Sequence, residues 1–195
     1  MQHDFIKAFN ELIVTRRSIF PDQFEAGATV DDAVIEQILT NATWAPNHGK
    51  TEPWHFTVFT GKGLEVLAKH QSQFYKDNAG DNYVESRYQK LLQNPLKASH
   101  VIAIQMVRTT TKNIPEIEDI EAVACAVQNL HLSVHAYGLG GYWTTGGITY
   151  KPAAWSLLGI EPPNQLLGFF YIGKIATPST NAKRKPLAEV TQWIR

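Results

Sequence analysis

The first apolar pattern in the chain has helical spacing. Phe5, Phe9 and Ile13 recur at intervals of four, with further apolar residues between them, and polar residues fill the other positions. Asp4, just before the pattern, is a residue type that commonly caps a helix. The pattern predicts an amphipathic helix that begins after Asp4 and ends near Thr15.

A second helical pattern runs from Val34 to Leu39. Thr29 and Asp32 precede it and form a near capping box. The predicted helix extends to about Trp44, and Pro46 then forces a loop.

Three stretches have the character of strands. Phe56–Phe59 predicts a short strand, and His100–Val107 and Leu166–Ile172 are apolar at both sets of alternating positions. Strands of the latter kind are covered on both faces of a sheet. We therefore expect two central strands with helices packed on either side.

Further helices fill the space between these strands. Residues 64–93 predict helical segments bounded by Gly63 and Pro95, and Glu116–Tyr137 predicts one long helix ended by Gly138. From Ala122 to Ala136 this helix is apolar around most of its circumference. It is expected to lie both in the core and at a dimer interface.

Composition narrows the protein classes. The chain has 195 residues, 44% of them hydrophobic and 18% charged, which fits one globular domain over residues 1–195. Lys plus Arg and Asp plus Glu both number 18, so no overall charge attracts nucleic acid or an anionic membrane. A polar start, no long apolar run and the single Cys125 give the expectation of a cytoplasmic protein without an intrachain disulfide.

Arg16, Arg17 and Ser18 follow the first predicted helix and offer the donors that a phosphate group requires. The alternative is a solvated helix end, where cations are common. Considered with the loop Ala45–Trp54 and the segment Gly140–Gly146, the cluster suggests a bound phosphorylated flavin.

Other candidate sites have weaker support. His131 and His135 have the spacing of two metal ligands, but the sequence supplies no third ligand, so no metal is expected. The glycines at 138, 140 and 141 follow a helix, which argues against a dinucleotide loop. Cys125 lies in an apolar helix, where a thiol is usually inert packing.

Together these segments resemble the nitroreductase family of flavin enzymes. The matching residues are Arg16-Arg17-Ser18, Ala45-Pro46 with Pro53-Trp54, Gly140–Gly146 and Lys183–Leu187. The resemblance implies an α+β fold with a central mixed, mostly antiparallel sheet flanked by helices. It also implies a homodimer with FMN at two interface sites, and ping-pong reduction by NADH or NADPH.

The resemblance also assigns roles to cofactor-binding residues. It implies that Arg16, Arg17, Ser18 and Arg184 hold the FMN phosphate or ribityl chain. It places Trp143, Thr144 and Thr145 beside the isoalloxazine, where a main-chain N–H faces flavin N5. Trp44, His48 and Lys50 belong to the loop that reaches the partner subunit's flavin. No side chain is assigned as catalytic, because the flavin carries the chemistry.

The chain departs from the family pattern at three positions. Many members have Asn and Gln at the positions of Lys50 and Glu52, and many have a basic residue at the position of Phe20. A cation near flavin N1 and O2 stabilises the reduced anion, and Lys50 is a candidate replacement. Glu52 either pairs with Lys50 or has a structural role.

The expected function is an FMN-dependent oxidoreductase that passes hydride from NAD(P)H through flavin N5 to an organic acceptor such as a nitroaromatic or quinone. The alternative is a non-catalytic flavin-binding, nucleotide-binding or sensor protein on the same fold. Yellow protein that NADH or NADPH bleaches would separate the enzyme from the binding protein.

Overall fold

The computed structural model describes residues 2–109, 113–180 and 182–195. Five α-helices and four strands lie within these residues. The helices are α1 (Gln2–Thr15), α2 (Asp32–Ala42), α3 (Lys62–Asn78), α4 (Glu85–Lys97) and α5 (Glu116–Ala136), and the strands are β1 (Trp54–Thr60), β2 (His100–Met106), β3 (Leu139–Thr144) and β4 (Gln165–Lys174).

The four strands form one sheet in the order β1-β2-β4-β3, and each neighbouring pair is antiparallel. The two central strands are β2 and β4, as the apolar pattern predicts. Alternate residues of β2 enter two cores: Val101 and Ala103 pack on the side of α3, and Ile102 and Ile104 pack on the side of α2 and α5. The α+β architecture with helices on both faces is confirmed.

Several predicted helix boundaries need correction. Asp4 lies within the first turn of α1 instead of capping it, and the cap of α2 is Asp31, whose carboxylate accepts a hydrogen bond from Ala33 N. Helix α2 ends at Ala42, and Pro95 lies inside the last turn of α4. Pro95 does not end the helix at the preceding residue, and α4 continues for two more residues to Lys97.

Helix α5 has the predicted length but is not buried on every side. Its inward residues, among them Ala126 and Leu130, are wholly covered by the protein's own α2 and sheet. Cys125 is exposed, so the expectation of a packed thiol is wrong. The face that carries Cys125 turns away from the sheet, and an apolar helix sequence does not reveal which face does so.

Two glycines allow β3 to lie close to its neighbours. A Cβ on Gly141 would come within 2.7 Å of the Phe170 ring, and a Cβ on Gly168 would lie 2.4 Å from the Thr144 carbonyl oxygen. Gly168 also has a φ of +125° and faces the register shift between Ile104 and Gln105. Glycine at these positions fixes the end of β3, where the candidate flavin segment lies.

Candidate functional site

Three arginines come together at the C-terminal end of α1. Arg16 lies close enough to Arg17 and Arg184 for their charges to lower its pKa, although burial has the larger effect. The structure thus brings Arg184 of the C-terminal segment close to Arg16, although more than 160 residues separate the two in the sequence. Each guanidinium repels its neighbours, and none forms an ion pair with a carboxylate among the described residues.

The cluster also contains unused hydrogen-bond donors. Arg17 donates through Nη1 to the Val14 and Arg16 carbonyl oxygens, but its buried Nε has no partner within the described residues. Half-buried Ser18 has its carbonyl oxygen bonded to the Ser179 hydroxyl at 3.1 Å. A buried donor without an acceptor is costly, so this group fits an anionic ligand that supplies the missing oxygen.

His131 and His135 lie beside Arg16. Arg16 Nη1 donates to His131 Nε2 at 3.2 Å, and the His131 ring packs edge-on against Phe170. Burial, followed by the charge of Arg16, lowers the pKa of His131 to about 4, so the ring is a neutral acceptor near pH 7. His135 Nε2 lies 2.9 Å from Thr15 Oγ1. No described group of three or more His, Cys, Asp or Glu residues is placed to hold a metal.

The candidate flavin segment lies at the edge of the sheet. The Gly141 carbonyl oxygen accepts a hydrogen bond from Ile19 N at 3.0 Å, so Gly141 presents its polar groups away from β4. Alternate residues of an antiparallel strand point their main-chain groups to the same side, so the Trp143 N–H faces that outer edge too. The Trp143 indole points elsewhere and donates to the Leu167 carbonyl oxygen at 3.1 Å. The main chain, not the indole, is therefore available to a ligand.

A cleft of about 240 Å³ opens beside this segment. We call it the strand cleft, and it is bounded by Pro21 from the loop after α1, by Tyr142, Thr144 and Gly146, and by residues of α3 and α4. Gln71, Arg87, Lys90 and Asn94 supply its polar wall, and sequence reasoning missed all four. Their helical spacing was visible in the sequence, but nothing in it showed that α3 and α4 fold back over β3. Thr145 is exposed just beyond the strand.

The third predicted group lies at the other end of the molecule. His48 Nδ1 donates to Glu118 near the start of α5, and Trp44 is 82% exposed. Thirteen residues of α5 separate Glu118 from His131, which corresponds to about 20 Å along the helix axis. Within one chain the structure therefore does not bring the Trp44–Lys50 group to the arginine cluster.

The loop that contains Lys50 has an unusual backbone. Lys50 and Glu52 have φ values of +55° and +46°, which side-chain-bearing residues rarely adopt, and Gly49 has +60°. Glu52 N donates to Asn47 Oδ1, and the Thr51 hydroxyl donates to Asp119. Lys50 and Glu52 form no ion pair with each other in the described chain, so that alternative is not observed. Strained backbone held by side-chain bonds is common in functional loops.

The chain is similar to known proteins in both sequence and fold. The model of the Nitroreductase family matches residues 13–174. The Escherichia coli (strain K12) protein YdjA, a candidate NAD(P)H nitroreductase by name, is 27% identical over 172 residues, which cover 88% of this chain and 89% of YdjA. A crystal structure of a nitroreductase-like family protein from Bacillus cereus is 26% identical, with a TM-score of 0.82 over 95% of each chain.

A further solved structure contains a ligand. It is a protein of Desulfovibrio desulfuricans in complex with FMN, 25% identical to this chain, with a TM-score of 0.72 over 95% of each chain.

Proposed function

Because the chain belongs to the nitroreductase family, we propose that it is an FMN-dependent oxidoreductase. In this proposal hydride passes from NADH or NADPH through flavin N5 to an organic acceptor such as a nitroaromatic or quinone, in a ping-pong sequence. The observation that carries the proposal is the arginine cluster, whose three guanidinium groups have no carboxylate partner, and whose buried Arg17 Nε–H has no acceptor, among the residues that the structure describes.

The donor set fits a phosphate monoester. Arg16, Arg17 and Arg184 supply charge and N–H groups, and Ser18 supplies a hydroxyl. Guanidinium groups bind phosphate in a bidentate manner, and such charge-assisted bonds are stronger than neutral ones. Neutral His131 accepts from Arg16 and so limits the directions in which that guanidinium can turn. These residues would hold the phosphate end of FMN.

The edge of β3 would hold the other end of the cofactor. The Trp143 N–H, on the outer edge of the strand, is the donor that would face flavin N5, with Thr144 and Thr145 beside it. When bound, FMN supplies an N5 atom that takes up and releases hydride. The main-chain donor orients the ring and stabilises charge on it without transferring a proton.

We also propose that the functional unit is a homodimer. Phe5 and Phe9 of α1 are 72% and 48% exposed, and Trp193 and Ile194 near the C-terminus are 73% and 91% exposed. Large apolar side chains that a single chain leaves exposed in groups are typical of an interface with another protein. A second copy would also bring its Trp44, His48 and Lys50 to the flavin, which lies out of reach of those residues in their own chain.

The test is the visible spectrum of the purified protein, followed by anaerobic addition of NADH or NADPH. We expect a yellow protein that bleaches and regains its colour when a nitroaromatic or quinone is added. A yellow protein that neither nucleotide bleaches would support the non-catalytic flavin-binding alternative. A colourless protein that cannot be reconstituted with FMN would overturn both.

A further inference from the structure

A second cavity lies next to the strand cleft and has no role in the proposed flavin site. It has a volume of about 480 Å³ and lies between α3, the start of α4 and the chain that follows β3. We call it the hairpin cavity, after the consecutive helices α3 and α4 that border it. Its size is within the range of small-molecule sites. It is lined by Phe74, Tyr75, Asn78, Asn82, Arg87 and Lys151, with small residues between them.

The charge in the hairpin cavity is of one sign. Arg87 and Lys151 are its charged lining residues, and no Asp or Glu lines it. Neither cation forms an ion pair with any described carboxylate. Asn78 and Asn82 add neutral polar groups. Cations that the protein leaves unpaired around a concave site favour a negatively charged ligand.

The aromatic wall of this cavity is held in place. The Arg87 guanidinium lies over the Tyr75 ring, 4.9 Å from its centre. The Tyr75 hydroxyl donates to the Asn82 carbonyl oxygen at 3.2 Å and accepts from Val84 N at 2.9 Å. A ring fixed at both its face and its hydroxyl keeps the guanidinium in one position, and the N–H groups at the edge of Arg87 remain available to a carboxylate.

The hairpin cavity adjoins the strand cleft. Arg87 and Gly147 line both, and Thr144 and Gly146 of the strand cleft belong to the segment proposed to lie beside the flavin. A ligand in the hairpin cavity would therefore be next to the flavin ring. This step rests on the proposed function.

From these observations we propose that the hairpin cavity selects, as the acceptor, a nitroaromatic or quinone that also carries a carboxylate on its ring. The nitro or quinone group takes up the hydride, and the carboxylate serves only for binding. The acceptor ring packs against Phe74 and Tyr75, and its carboxylate is held by Arg87 and Lys151. Arginine matches the planar geometry of a carboxylate, and lysine adds a point charge. The inference assigns an anionic substrate class to a site whose acceptor the family resemblance leaves open.

The experiment compares two acceptors of nearly the same shape in the oxidative half-reaction. FMN-loaded protein is reduced with NADH and then mixed with 4-nitrobenzoate or with neutral 4-nitrobenzamide. Because the two compounds differ in intrinsic reactivity, the quantity compared is the change in their rate ratio between wild type and variant. We expect Arg87→Met and Lys151→Met each to lower the benzoate-to-benzamide ratio by about tenfold, as for loss of one charged contact.

A binding measurement provides a readout independent of turnover. Calorimetric titration of oxidised, FMN-loaded protein with 4-aminobenzoate, which cannot be reduced, should show binding that weakens by about tenfold in Lys151→Met. Lys69→Met is the matched control, because Lys69 is exposed on α3 and lines neither cavity. Its rate ratio and its affinity should equal those of wild type.

Three results would overturn the inference. The first is flavin-loaded, active protein whose rate ratio is the same in wild type, Arg87→Met and Lys151→Met. The second is a loss confined to the reductive half-reaction with NADPH, which would assign the cations to the phosphates of the donor. The third is failure of the wild-type protein to bind flavin. This result is distinguishable from the other two, because it would overturn the proposed function as well as this inference.

Discussion

The two ends of α5 meet charged residues in opposite ways. Near the start of the helix, Glu118 bonds to His48, and Asp119 bonds to Arg108 and Thr51. Near its end, His131 and His135 face Arg16, with Arg17 and Arg184 close by and no carboxylate partner among the described residues. The first group is satisfied by the chain itself, whereas the second retains a buried donor, Arg17 Nε, without a partner among the described residues.

Under the proposed function, this difference separates cations that maintain the fold from cations that bind a ligand. Arg108 lies against Asp119, whose side chain is 1% exposed, and also donates to the Ile114 carbonyl oxygen at 2.8 Å. Arg16 gains no such pairing, and burial together with its like-charged neighbours lowers its pKa. The sequence offers arginines in both places, and only their surroundings distinguish the two roles.

The largest effect is expected at the paired end. Arg108→Met leaves the buried Asp119 carboxylate without its cation, so we expect the free energy of unfolding to fall by about 3–5 kcal/mol. Chemical denaturation of the variant measures this loss. The double variant Arg108→Met with Asp119→Leu should recover much of it, because no buried charge is then left unpaired. A loss below about 1 kcal/mol would place this pair with ordinary surface ion pairs.

At the unpaired end, ligand affinity should change more than stability. Arg16→Met should weaken FMN binding by about 1.5–3 kcal/mol, or roughly 10- to 150-fold, as a charge-assisted bond to the phosphate is lost. The apoprotein should be no less stable, because a repelled cation has been removed. Equilibrium titrations with FMN and with riboflavin, which has no phosphate, test the assignment. An equal loss for both ligands would show that Arg16 does not bind the phosphate.

Sequence patterns predicted the central layers of this fold for a physical reason. Strands β2 and β4 are apolar on both faces because helices cover both, and the long apolar run of α5 follows from its contact with α2 and the sheet. The sequence also indicated Arg16, Arg17 and Ser18 as a phosphate cluster, because guanidinium groups next to a hydroxyl suit a phosphate. This assignment stays a prediction. These features depend on neighbours in sequence or on simple periodicity.

Features that depend on long-range packing could not be predicted from the pattern of residues. The approach of Arg184 to Arg16 was expected only from the family resemblance, because nothing local in the sequence shows that the C-terminal segment returns to α1. The cations Arg87 and Lys90 are exposed, and only the packing of α4 shows that they line the strand cleft. Which face of α5 exposes Cys125 likewise depends on tertiary packing. The place of Lys50 in the proposed site likewise depends on a second copy of the chain and was expected only from the family resemblance.

The smallest effect concerns Lys50, which lies in the loop held against the paired end of α5. Phe20 stands where many family members have a cation, so the proposed site lacks its usual charge near flavin N1 and O2 unless another residue supplies it. In a homodimer the Lys50 loop would lie against the partner's flavin. Its ammonium would then favour the anionic reduced ring, and Lys50→Met should lower the reduction potential.

The size of this shift follows from the two-electron relation. An interaction of about 1–2 kcal/mol corresponds to roughly 20–40 mV, since about 30 mV equals 1.4 kcal/mol. Spectroelectrochemical titration of wild type and Lys50→Met measures it, with Lys62→Met on α3 as a control that should leave the potential unchanged. FMN affinity should change less than the potential, because the phosphate contacts are intact. A potential that stays constant or rises in Lys50→Met would mean that Lys50 does not stabilise the reduced flavin. The reduced flavin would then need another cation, and Lys90 in the strand cleft is the next residue to vary.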